Sequence, residues 1–116
     1  MSTPGTIADS HAIAAIMHTL SDPTRRSLYE DIVQRGETSV VDLTRSAAVS
    51  QPAVSQHLKV LRAAGLVVER RQGRNALYSC DPRGLEPLVD WLDHYAVFWR
   101  DRFTALRALL KEIDPQ

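Results

Sequence analysis

The stretch Val49–Cys80, VSQPAVSQHLKVLRAAGLVVERRQGRNALYSC, decides how this chain is read. Its first half has helical periodicity. With Val54 at the centre of a buried side, Leu58 and Leu61 fall on the same side at about 100° per residue. The opposite side carries Pro52, Ser55, Gln56 and Lys59, with Gln51 and Arg62 nearer its flanks and His57 at the boundary. Ser50 is a suitable N-cap, Pro52 is tolerated in a first turn that needs no intrahelical N–H bond, and Gly65 stops the helix. The second half alternates loosely. It predicts two short strands, near Leu66–Arg71 and Ala76–Cys80, around a turn at Gln72-Gly73-Arg74-Asn75.

Working outward, TSVVDLTRSAAVS (38–50) places Ser39 and Asp42 at capping-box-like spacing,. It predicts a short helix with Val40, Leu43 and Ala47 inward, joined to the next helix by a tight turn at Ala48-Val49-Ser50. Two helices joined this way form a helix-turn-helix, whose second helix enters the DNA major groove. The side chains suit that task. A Gln amide offers both donor and acceptor and can pair with adenine N6 and N7, and Ser can pair with several base edges. Lys59 and Ser55 can hold phosphates and fix register. Arg71 and Arg74, beside Gly73 at the hairpin tip, can reach the backbone or the minor groove. Polar residues opposite an apolar stripe also occur on any solvated helix. The arginine hairpin that follows, and the charge of the segment, favour the DNA reading.

Net charge is zero, from 14 basic and 14 acidic side chains, which taken alone argues against nucleic acid. The distribution argues for it. Residues 1–49 carry four basic and six acidic side chains, a net of −2. Residues 50–80 carry five basic (Lys59, Arg62, Arg70, Arg71, Arg74) and only Glu69, a net of +4. Residues 81–116 carry five basic and seven acidic, again −2. A local basic patch on an acidic body is the footprint of a nucleic-acid binder.

A chain of 116 residues, 44% hydrophobic and 24% charged, suits one globular domain, at a size where a partner subunit often completes the core,. No apolar run of ~20 residues predicts a membrane-spanning helix. The N-terminal MSTPGTIADSHAIAAIMHTL lacks the basic region of a signal peptide. A single cysteine, Cys80, permits no intrachain disulfide, which fits a reducing cytosol. The expectation is a cytoplasmic protein without membrane association.

The remaining pattern predicts a flexible segment over residues 1–8 and a first helix from about Asp9 to Leu20, with Ile13, Ile16, Met17 and Leu20 on one face. SDPTRRSLYEDIVQRG (21–36) reads as a break and a second helix, capped by Asp22, begun by Pro23 and stopped by Gly36,. Its buried stripe is expected at Leu28, Ile32 and Val33. One long helix is expected from Leu85 to about Ile113. The fold class is therefore mainly α with a small β-hairpin: a single winged helix-turn-helix domain over residues 9–116, with helices flanking a two-stranded wing.

LSDPTRRSLYEDI (20–32), VSQPAVSQHLKVLRAAGLV (49–67) and RRQGRNALYSC (70–80) together resemble the ArsR/SmtB family of bacterial winged-helix transcriptional regulators. The resemblance is close from about Ile13 to Cys80 and looser in the last helix. It implies a homodimer that binds a roughly palindromic operator in double-stranded DNA, usually as a repressor. It places base contacts on Gln51, Pro52, Ser55 and Gln56, and wing contacts on Arg71, Gly73 and Arg74. His57 and Lys59 complete the candidate DNA-binding set. Pro52 has no side-chain donor, so any reading there is by shape or methyl contact.

The last helix has a sustained apolar stripe, with a second apolar set off it. Five of the seven aromatics, Trp91, Tyr95, Phe98, Trp99 and Phe103, lie within 91–103. So much aromatic surface calls for a partner. The resemblance supplies one, a dimer interface built from the first and last helices. The candidate interface residues are Ile13 and Met17 with Leu88, Trp91, Leu92, Tyr95, Phe98, Trp99, Phe103 and Leu106. An aromatic-lined pocket for an apolar effector is a second reading of the same residues.

Many members of the family it resembles sense metals. One such site needs a Cys-x-Cys pair in the first helix of the helix-turn-helix, where this chain has TSVVDL. Another needs Asp-x-His followed by His-x-x-Glu on the last helix, where this chain has Asp90, Asp93 and the single His94. His94 is otherwise expected to pair with Asp90 at i, i+4. No metal ligand set and no cofactor are predicted, and the closest likeness is to the branch without metal ligands. The effector is unassigned. A metal- or redox-responsive regulator using His94 or Cys80, and a winged-helix module that binds a protein, are the alternatives. No phosphate loop, nucleophile elbow or clustered His/Asp/Glu suggests an enzyme.

Overall fold

The structure, a computed structural model, describes residues 7–113. In chain order the elements are α1 (Ile7–Ser21), α2 (Pro23–Arg35), β1 (Thr38–Ser39), α3 (Val40–Ser46), α4 (Gln51–Ala63), β2 (Val67–Gln72), β3 (Asn75–Cys80) and α5 (Glu86–Ile113). Most of the segment expected to be flexible, residues 1–6, lies outside the described residues. Ile7 and Ala8 are helical, so α1 begins two residues before Asp9.

Local chemistry sets the helix ends. The Asp22 carboxylate accepts from the Arg25 backbone N–H at 2.9 Å, with Pro23 opening α2. That bond holds the Asp22 carboxyl below its ordinary range,. Ser39 Oγ accepts from Asp42 N–H at 3.1 Å, and Ser50 Oγ from Ala53 N–H at 3.4 Å. Only this half of the capping box at Ser39 forms, because the Asp42 carboxylate turns to Arg45 at 3.3 Å. α4 ends in a Schellman motif. Leu66 N–H donates to the Leu61 carbonyl and Gly65 N–H to the Arg62 carbonyl, both at 3.0 Å, with Gly65 at φ +79°,.

β2 and β3 form the expected hairpin, paired from Val67↔Cys80 to Gln72↔Asn75. Its loop is the two residues Gly73 and Arg74, with the glycine first and at φ +61°, as a type II′ turn requires,. The sequence did not predict β1. This two-residue strand pairs with Leu77 and Tyr78 of β3 and makes a three-stranded antiparallel sheet, ordered β1-β3-β2.

The core joins Ile16 of α1, Leu28, Tyr29 and Ile32 of α2, Leu43 of α3, and Val54, Leu58 and Leu61 of α4 to Leu66, Val67 and Tyr78. Val33, expected in the core, is 52% exposed, and Tyr29 takes its place at 8%. The reason is the neighbour: α2 packs against β3 as well as α4, which turns its inner face toward Tyr29. Burial pushes the Tyr29 hydroxyl pKa well above its usual value, and the adjacent Cys80 adds to the shift,.

α5 is different from every other long helix here. None of its residues is buried. Leu85, just before it, and Leu88 rest against the core, Pro87 falls in the first turn where it costs no hydrogen bond, and the rest projects away,. A 28-residue helix is roughly 42 Å long,. The radius of gyration is 18.3 Å, against roughly 13 Å for a compact chain of about this length. The arm accounts for the excess.

The connection into α5 returns across the end of α4. A Cβ added at Gly84 would overlap the Gly65 carbonyl oxygen and lie 2.9 Å from Leu66 Cα, both rigid backbone. Gly84→Ala is therefore expected to cost about 1–3 kcal/mol, read as a lower urea midpoint with an unchanged slope. A wild-type midpoint would mean that the loop moves aside freely.

Candidate nucleic-acid interface

Val54, Leu58 and Leu61 have no exposed surface. Burying each contributes roughly 1.5–3 kcal/mol. Their burial fixes the rotation of α4 about its own axis. Gln51, Ser55 and Lys59, spaced i, i+4, i+8, then stack along one outward face. This face and the hairpin form the two walls of a cleft of about 280 Å³. Gln51, Ser55 and Lys59 line it from α4, and Arg71, Arg74 and Asn75 from the wing. Pro52 and Gln56 are exposed on α4 beside the cleft, and Gly73 is exposed at the wing tip.

His57 stands apart from this group. It is half-buried and faces α2, its Nδ1 3.5 Å from Arg25 Nη1, while Arg25 Nε donates to the Thr19 carbonyl at 2.6 Å. The structure thus places His57 at the α2–α4 contact and outside the cleft.

The five cations of residues 50–80 are not equivalent. Arg62, in the last turn of α4, pairs with Glu69 of β2 at 3.1 Å. Arg70, on the other face of the hairpin, grips Glu37 through two bonds of 2.9 and 2.7 Å. The Arg70 guanidinium holds the Glu37 carboxyl below its usual range, and Glu37 raises Arg70 in turn. The Arg70–Glu37 pair is solvent-exposed and contributes little to stability, whereas Glu69 is largely shielded and only Arg62 of its pair faces solvent,. Lys59, Arg71 and Arg74 have no ion pair among the described residues, and all three line the cleft. The patch is continuous in space, but it consists of three available cations.

Several cleft residues escaped the sequence reading, Glu69 and Tyr78 among them. Tyr78 of β3 is buried, and its hydroxyl donates to Glu69 Oε2 at 2.7 Å. Burial, then the Glu69 bond, pushes the Tyr78 pKa up to about 12. Glu69 had one signal, as the lone acid in a basic segment; Tyr78 had none.

On the arm, Leu92, Tyr95, Phe98, Trp99, Phe103 and Leu106 are all 40% or more exposed, as is Met17 on α1. Trp91 and Leu88 are half-buried, and Ile13, at 9%, is already spent on its own domain. The aromatics pack on one another: Trp99 stacks on Phe103 at 5.8 Å and meets Phe98 edge-on at 5.0 Å. His94 does not pair with Asp90; its ring sits edge-on to Tyr95 at 4.7 Å. Among the described residues no three His, Cys, Asp or Glu side chains come together as a metal site. Nor is any described helix long and apolar enough to cross a membrane.

A family model described as a helix-turn-helix domain matches residues 20–70, which span α2 through most of β2. The HTH-type transcriptional regulator Rv2034 of Mycobacterium tuberculosis is 43% identical over 91 residues, covering 78% of this chain and 81% of the relative. An ArsR-like transcriptional regulator from Rhodococcus superposes with a TM-score of 0.70 at 27% identity, over 93% of this chain and 97% of that one. The chain belongs to the ArsR/SmtB family. Another solved member, the transcriptional repressor BigR from Xylella fastidiosa, has a TM-score of 0.62 at 32% identity, covering 84% of this chain and 97% of its own. Members of the ArsR/SmtB family are transcriptional regulators and not enzymes.

The two kinds of candidate contact, on α4 and on the wing, are expected to fail differently. Gln56→Ala should relax sequence preference and cost ~1–3 kcal/mol on the best site. Unchanged discrimination in a competition assay would remove Gln56 from the reading set. Arg74→Ala should weaken specific and random-sequence binding together and reduce the salt slope by about one. A slope equal to wild type would remove the phosphate role from the wing tip.

Proposed function

We propose that this chain is a cytoplasmic, homodimeric repressor that binds a roughly palindromic operator. α4 lies in the major groove and the wing on the flanking backbone. Gln51, Ser55 and Gln56 read base edges, Pro52 contributes shape, and Lys59, Arg71 and Arg74 hold phosphates, with Gly73 letting the wing tip approach closely. The observation that carries this reading is the convergence in one cleft of Gln51 and Ser55 with three cations that have no ion pair among the described residues. The repressors among its relatives support the direction of control.

The homodimer is supported by the arm. α5 exposes Leu92, Trp99, Phe103, Leu106 and Leu110 along one stripe, and its own domain covers only its first turns, in part. A second copy is the partner that such a self-complementary stripe accepts. Two α4 helices related by a two-fold axis then meet half-sites about one helical turn, ~34–36 Å, apart or a multiple of it.

Selection of bound duplexes from a random pool, with light scattering of the protein alone, tests both parts. Enrichment of an inverted repeat with that spacing, and a mass twice the 13.0 kDa chain at micromolar concentration, are expected. A monomer, or enrichment without symmetry, would overturn the dimeric reading; no enrichment at all would overturn the operator.

A further inference from the structure

Glu69 is out of place by charge. It is the lone acid in the basic segment, and it lies in the wall of a cleft that also holds Lys59, Arg71 and Arg74. A carboxylate there repels the phosphates those cations attract, so it lowers affinity for any DNA. Its geometry gives it a compensating use. One oxygen accepts from Arg62 on α4 at 3.1 Å, and the other accepts from the Tyr78 hydroxyl on β3 at 2.7 Å, while Glu69 itself sits on β2. Three elements meet at one side chain that is only 17% exposed. Side chains alternate along a strand, so Glu69 and Arg70 leave opposite faces of the hairpin. Arg70 ties one face to Glu37 before β1, and Glu69 ties the other to the recognition helix.

We propose that Glu69 is a positioning residue that fixes the wing against α4 and so trades general DNA affinity for sequence discrimination. This rests on the DNA reading of the cleft given above. With the clamp intact, the wing cations reach phosphate only when α4 is seated in register, so backbone and base contacts are made together. With it cut, Arg71 and Arg74 find phosphates whatever the register, and random duplex competes better.

The test measures binding of the full-length protein to its selected operator and to a random duplex of equal length, across a salt series. Glu69→Ala should lower the operator-to-random ratio about tenfold while binding to random duplex stays equal or tightens. Glu69→Gln keeps a neutral acceptor for Arg62 and can donate its amide N–H to the Tyr78 oxygen. It should hold the ratio to within about twofold of wild type, although the charge is gone. Tyr78→Phe removes one bond and leaves the charge, and should lower the ratio in the same direction as Glu69→Ala. Thermal unfolding of each variant confirms that a folded protein is being compared, and Tyr78→Phe carries the test if Glu69→Ala does not fold, a wild-type ratio for it then overturning the clamp. Equal ratios for Gln and Ala, or a Gln variant that loses discrimination, would overturn the clamp and leave only a charge effect. A wild-type protein that binds both duplexes alike would overturn the DNA reading and this proposal with it.

Discussion

The complete burial of Val54, Leu58 and Leu61 is the constraint on which the rest of the molecule depends. α4 is short, 13 residues, and isolated helices of that length are marginal in water,. It is helical here because its apolar stripe docks onto α2 and α3 and because Ser50 and the Schellman turn close its two ends. Once the stripe is seated, the azimuth of every other residue on α4 is determined. Gln51, Ser55 and Lys59 point away from the core for the same reason that Leu58 points into it. The Schellman turn then directs the chain into β2, so the wing emerges beside the outward face. Packing inside thus builds the cleft outside.

Electrostatics refines that picture. A count of charges assigns five cations to residues 50–80, but two of them are spent in holding the wing, Arg62 against Glu69 and Arg70 against Glu37. The three that remain all line the cleft. The acids of this segment and its flank thus serve to fix a geometry. That is a different use of charge from the attraction exerted by Lys59, Arg71 and Arg74, and the two uses lie within one hairpin.

What was legible in the sequence was what depends on near neighbours. α4, its capping serine, the stop at Gly65 and the glycine-first hairpin loop each follow from a few adjacent residues, and each forms as expected within one or two positions. What was not legible depends on residues far apart in the chain. Val33 and Tyr29 are both plausible inner residues of α2; the choice is made by β3, almost fifty positions later. β1 is two residues long and exists because β3 offers a free edge. Arg70 counts toward the basic segment until Glu37, 33 positions away, closes on it. His57 sat on the boundary of a helical wheel, and the position of Arg25 decides its side. The aromatic arm was legible as a surface in need of a partner, and the fold sharpened that need by leaving Tyr95, Phe98, Trp99 and Phe103 exposed.

The central claim is that the cleft between α4 and the wing is the surface that reads DNA. Backbone amide shifts of the isotope-labelled protein, followed as its selected duplex is titrated in, test it most directly. The account predicts the largest changes at Gln51, Ser55, Gln56 and Lys59 and at Arg71, Gly73 and Arg74, with α5 little affected. Changes concentrated instead between Pro23 and Ala48, or along α5, with the cleft residues unmoved, would contradict it.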